Sequence, residues 1–176
     1  MKKLIYISVL CVGMVGALTG CGGSKDSDAT TEKVKEVEST ASEEKKELPS
    51  SQEMADAMLD KGDFKDSLAT VDNTMAINRL YMLDAAIVEE AAFYTNSNAT
   101  AEEIAVIKVK DAESVETVKA AYETRVAEQK EACKDYLPDE MPKLEDAVIY
   151  SNGNYVILCV SNDSDTMLDI IEDFFE

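Results

Sequence analysis

The side chains able to do covalent or acid–base chemistry include 36 Asp and Glu, 7 Tyr and 4 Cys, with no His anywhere. Without imidazole, histidine-built zinc sites, the usual general base and every Cys–His or Ser–His–Asp arrangement are excluded. Cys11, Cys21, Cys133 and Cys159 show neither a CxxC pair nor a metal-like spacing. Carboxylates stand side by side at Glu89-Glu90, Glu102-Glu103 and Asp139-Glu140. Acid–base work needs two carboxyls held at fixed separation across a cleft, which adjacency in sequence does not supply. Asp163, Asp165, Met167 and Asp169 follow the start of a calcium loop, but Leu168 replaces the turn glycine and Phe174 the bidentate glutamate. That stretch reads as a helix cap. No phosphate-cradling glycine loop occurs. The sequence assigns no catalytic, cofactor-binding or metal-ligating residue, and no cofactor.

The one residue with a specific chemical context is Cys21. Lys2 and Lys3 give a basic start, and residues 4–20 carry no charge and are rich in Leu, Ile, Val and Met. This is the charged n-region and apolar h-region of an export signal. As a spanning helix the run is short and holds three glycines. Leu18-Thr19-Gly20-Cys21 resembles the lipobox of bacterial lipoproteins, where small residues let a peptidase reach the backbone and the thiol receives a diacylglycerol thioether. The resemblance implies cleavage before Cys21, lipid on Cys21, and a position on the extracytoplasmic face of the bacterial cell membrane. Two acyl chains, at about 0.8 kcal/mol per buried methylene, anchor stably where one binds reversibly.

The net charge of −19 deepens once Lys2 and Lys3 leave with the signal. Such a surface is repelled by nucleic-acid phosphates, so nucleic acid is not expected as a partner. Beyond Cys21, residues 22–49 are Gly, Ser, Thr, Lys, Glu, Asp and Ala, with Val34, Val37 and Leu48 as the larger apolar residues. That composition does not bury enough surface to offset ordering. It predicts a disordered tether spanning about 30 Å as a flexible coil. Residues 1–20 are thus expected to be signal, 21–49 lipidated cysteine and tether, and 50–176 a single α+β domain.

Within that domain, Ser50 or Ser51 is placed to cap a helix carrying Met54, Ala57 and Met58, ended by Gly62. A short strand is expected near residues 64–71, a helix over 73–83, and a strand over 91–95. Residues 104–109 are β-branched and short, and predict a strand; Thr100 with Glu103 offers a capping box as the competing signal. Asp111 is expected to cap a long helix to Tyr136, with Val115, Val118, Tyr122, Val126 and Cys133 on one stripe and Pro138 beyond. Asn152-Gly153 predicts a type I′ hairpin between residues 147–150 and 155–160. Asn162 or Asp163 caps a last helix.

Strand, polar turn, strand and capped helix recur twice over residues 91–175. Two ββα units predict a four-stranded, largely antiparallel sheet with helices packed on one face, plus an N-terminal helical segment. Alternation puts Ala105, Ile107, Val109, Val156, Leu158 and Val160 toward the helices. Ile104, Val106, Lys108, Tyr155, Ile157 and Cys159 take the other face, so Cys159 points away from Cys133 and a bridge is not expected. That second face is too apolar for water. Either residues 54–83 cover it or a partner does.

Four phrases carry a wider resemblance: Thr100-Ala101-Glu102-Glu103-Ile104-Ala105-Val106, Lys108-Val109-Lys110-Asp111, Pro142-Lys143-Leu144-Glu145-Asp146-Ala147-Val148 and Gly153-Asn154-Tyr155-Val156-Ile157. Over residues 91–175 the chain resembles the uncharacterised Gram-positive envelope lipoproteins grouped as domain of unknown function 4358. The resemblance implies an envelope lipoprotein with an α+β domain; it transfers no activity and no catalytic residue. The expected function is a non-enzymatic, lipid-anchored module that binds an envelope protein or cell-wall component. A carboxylate-dependent hydrolase and an atypical transporter-associated binding lipoprotein are the alternatives.

Overall fold

The computed structural model describes residues 47–96 and 100–176. The expected signal, Cys21 and nearly all of the tether lie outside the described residues. The first helix, α1 (Ser51–Lys61), begins with a reciprocal cap. Ser50 Oγ accepts the Glu53 N–H at 3.3 Å, and the Glu53 carboxylate accepts the Ser50 N–H at 2.8 Å. Met54, Ala55 and Met58 are buried along its inner face, and Gly62 ends it by donating to the Met58 carbonyl. Burying each methionine stabilises the fold by roughly 1.5–3 kcal/mol.

Five strands form one antiparallel sheet in the order β1-β2-β3-β5-β4: β1 (Ala69–Thr70), β2 (Val88–Thr95), β3 (Glu103–Val109), β4 (Val148–Asn152) and β5 (Tyr155–Val160). The expected four strands are all present. The fifth, β1, is a two-residue strand that closes the outer edge of β2. The two ββα units meet where β3 pairs with β5, and β3 begins at Glu103 where a helical turn was the competing expectation.

The face assignments follow the alternation. Ala105, Ile107, Val109, Val156, Leu158 and Val160 pack under α3 (Val115–Tyr136), whose buried stripe is Val118, Tyr122, Val126 and Cys133. Ile104, Val106, Tyr155, Ile157 and Cys159 lie on the opposite face beneath Met54, Ala55 and Met58 of α1 and Met167 and Ile171 of α5 (Ser164–Glu172). Helices therefore occupy both faces, and the expectation of helices on one face is corrected. The α3 face is already filled by its own stripe, Ala76, Ile77, Tyr81 and Leu144. Its apolar face cannot be left in water, so α5 turns to the other side and packs beside α1. The second face is thus covered, though by α1 and α5 together and not by all of residues 54–83.

Three local expectations are also corrected. The helix over 73–83 is a short α2 (Asn73–Met75) continued by a π turn, Ala76–Leu80. In that wider turn Tyr81 N–H reaches the Ala76 carbonyl, and Tyr81 is delivered onto Phe93 and Tyr122 with ring centroids 5.3 and 5.1 Å away. Asp111 opens a 3-10 turn at Ala112–Ser114 through its carbonyl, with no side-chain cap bond. The hairpin turn is centred one residue later, on Gly153 and Asn154. Gly153 has φ 54° while Asn154 is not in the positive region, which is the type II′ pattern in place of the type I′ expected.

Candidate functional site

A cavity of about 940 Å³ lies on the α1 and α5 side of the sheet at the hairpin end of β5. Its floor is Tyr155 and Phe174, and α1 contributes Ala57. Residues Glu47, Leu48, Pro49 and Ser50, the first described stretch of chain, run along its wall. Tyr155 fixes that stretch by donating its hydroxyl to the Pro49 carbonyl at 3.1 Å. The Ser51 N–H donates to Glu90 Oε2 at 3.1 Å, tying the start of α1 to β2. Leu48 keeps 38% of its surface exposed beside the groove.

Charge in the groove is arranged around one ammonium. Lys108 projects from β3 to Glu89 at 2.9 Å and Glu90 at 3.6 Å, and its Nζ lies 5.6 Å from the centre of the Tyr155 ring. The hydrogen bond to Glu89 holds the Lys108 amine above its ordinary value. Burial raises the Tyr155 phenol. Glu47, Glu53 and Glu90 complete an acidic rim. Apolar aromatic floor, acidic rim and a half-buried ammonium make a recognition surface; they supply no free nucleophile with a base beside it.

At the other end of β3 Glu102, Glu103 and Glu140, from two of the sequence's three carboxylate pairs, come together, each held by donors. Glu102 and Glu140 share Lys143, at 2.8 and 3.0 Å, with the three side chains almost fully out of water. Glu102 also accepts the Lys65 and Asp66 N–H groups and the Thr100 hydroxyl, and Glu140 accepts the Ala101 N–H. Burial pushes the Glu102 carboxyl up, but these bonds outweigh it and hold it below the ordinary 4.5. Glu103 faces the other way, onto Arg125, Gln129 and Tyr81. A smaller cavity of about 330 Å³ opens beside them, lined in part by Arg125, Gln129 and Cys133.

A hydrolase needs a carboxyl with a raised pKa or a carboxylate free to attack. Here Glu102 and Glu103 have their acceptor positions filled. Sequence reasoning singled out Glu102 and Glu103 but not Lys143, Arg125 or Tyr81, whose partners lie 41, 22 and 22 residues away. Only the three-residue step from Glu140 to Lys143 was a local signal.

Asp163, from the calcium-like stretch, caps α5: its carboxylate accepts the Thr166 N–H at 3.0 Å and the Thr166 hydroxyl at 2.7 Å. Among the described residues no group of three or more acid or thiol ligands is placed to hold a metal ion. Cys133 and Cys159 are buried free thiols on opposite faces of the sheet. No helix among the described residues is long and apolar enough to cross a membrane. Cys21 lies outside the described residues. A family model described as domain of unknown function DUF4358 matches residues 60–161. No curated protein and no solved structure matches the chain.

Proposed function

The chain belongs to the DUF4358 family, and from that premise we propose that it is a lipid-anchored binding module on the extracytoplasmic face of a Gram-positive cell membrane. Diacylglycerol on Cys21 is the anchor, and the residues up to about 49 are the spacer. The folded part is non-enzymatic and takes an envelope protein or cell-wall component in the groove over Tyr155. The observation that carries this reading is the groove itself: a cavity of ligand size with an aromatic floor and an acidic rim. The filled hydrogen-bonding shells of Glu102 and Glu103 count against the hydrolase alternative.

Two measurements test the reading separately. Replacing Cys21 with Ser is expected to leave a larger, unprocessed chain that partitions differently on membrane fractionation. Unchanged size and fractionation would remove the anchor. A photo-crosslinking residue at Phe174, used in intact cells, is expected to capture one specific neighbour, and Lys108→Glu is expected to reduce that capture. Capture of no specific neighbour from Phe174 would remove the groove as the binding site.

A further inference from the structure

The two edges of the sheet are treated differently. The β2 edge is closed by β1, by the Val71 N–H on the Phe93 carbonyl at 3.1 Å, and by the Asn73 side chain on the Ala91 carbonyl at 2.7 Å. On the opposite edge β4 reads Val148-Ile149-Tyr150-Ser151-Asn152, β-branched and aromatic, with no charge, proline or bulge. Natural sheets guard exposed edges with such devices, because an open ladder pairs with any extended chain.

Which groups are open follows from the register. The Val109 N–H bonds to the Asn154 carbonyl, so the even-numbered residues of β5 face β3 and the odd-numbered ones face β4. Tyr155, Ile157 and Cys159 therefore bond to Asn152, Tyr150 and Val148, and the N–H and C=O of Ile149 and Ser151 point outward. Among the described residues nothing bonds to them.

Charge selects the occupant. Two helices contact β4, α3 from one face and α5 from the other, and just beyond α5 Phe175 stacks on Tyr150 at 5.7 Å. From Ser161 to Glu176 the chain has no Lys or Arg, while Asp165, Asp169, Glu172, Asp173 and Glu176 are exposed. A second copy of a chain with net charge −19 would bring like charge onto this flank.

We propose that β4 is a docking edge that adds an extended, lysine- or arginine-bearing polypeptide segment of a partner as a sixth strand. Main-chain bonds at Ile149 and Ser151 supply the register, and the acidic face of α5 supplies the preference for cationic side chains. This edge adjoins the Tyr155 groove through Phe175, which touches both Tyr150 and Tyr155, and the outward amides of Ile149 and Ser151 report on the edge and not on the groove.

The probe is a synthetic peptide alternating Lys and Val, added to the isotope-labelled full chain, with a Glu-for-Lys peptide as control. The expected result is shifted Ile149 and Ser151 amides whose hydrogen exchange slows about tenfold or more. Binding should weaken as salt rises through the screening range, and the Glu peptide should not bind. Ser151→Pro removes one outward N–H at a position an edge strand tolerates, and should abolish the shifts with the remaining spectrum intact. If that variant does not fold, Ser151→Lys provides the same test by repulsion. Equal binding of the Glu peptide, shifts confined to other residues, no binding, or self-association through β4 would each overturn the proposal.

Discussion

Tyr81 donates its hydroxyl proton to Glu103 Oε1 across 2.5 Å, joining the π turn to the first residue of β3 beneath α3. Arg125 grips the same carboxylate from α3 at 2.8 Å, and Gln129 adds a fourth donor at 3.1 Å. Three segments far apart in sequence thus meet on one carboxylate that is 1% exposed. Tyr81→Phe removes a buried bond to a charged acceptor, and is expected to cost about 1.5–3 kcal/mol. Urea unfolding checks this; a change within error would show that Arg125 alone holds the carboxylate.

Lys143 neutralises two buried carboxylates at once, and its removal leaves Glu102 without a cation and Glu140 with only the exposed Lys65 at 3.9 Å. Lys143→Met is expected to destabilise by about 3–5 kcal/mol, the range for breaking a buried pair from one side. Adding Glu102→Gln to that variant should restore part of the loss, because one stranded charge is gone. A double variant no more stable than Lys143→Met would place the damage in packing.

Stability should fall at both ends of the pH scale, for opposite reasons. Glu102 has a folded pKa below the ordinary 4.5, so its contribution is complete above 4.5 and disappears as pH falls through the lower folded value. Burial, and then the Glu103 charge, raises the phenols of Tyr81 and Tyr122 well above 10, so their contribution is complete below pH 10 and is lost as pH rises. Urea midpoints taken across the range should show an acid limb that is flattened in Glu102→Gln. An unchanged acid limb in that variant would assign it to other groups.

Burial pushes the Cys159 thiol up to about 12 and raises Cys133 as well. Neither should react readily with a charged thiol reagent near about pH 8, because little thiolate is present and both thiols are buried. Both should react once the protein is denatured. Rapid native labelling of Cys159 would mean that α1 and α5 leave the second face open.

Side-chain period was the most legible property of this sequence. Residues 104–109 and 155–160 are β-branched runs whose odd–even division gives both core faces, and a cap at Ser50 or Ser51 was readable, though not the reciprocal bond from Glu53. What failed needed distance or competition. A short strand near residues 64–71 was expected, but not that Ala69 and Thr70 join the sheet, which they do by pairing with the Tyr94–Thr95 edge. The repeat was real in the strands but not in the helices, because α3 together with the π-turn residues had already filled one face. Nothing near Ala76 announces a π turn; its cause is the demand that Tyr81 reach Glu103, 22 residues on. The groove was likewise hidden, since Glu47–Ser50 meets Tyr155 across 106 residues.

The Tyr155–Pro49 bond also fixes how the fold meets a mechanical load. A pull on the chain ahead of Glu47 is borne first by that bond to an inner strand, then by the Ser50–Glu53 cap and the Ser51 N–H on Glu90, and then by the seam of Met54 and Met58 against β3 and β5. Peeling from that end would lift away the cover that Met54, Ala55 and Met58 provide, while Met167 and Ile171 of α5 still lie over the same face. Tension would therefore loosen one of the two covers of that face while the other stays in place.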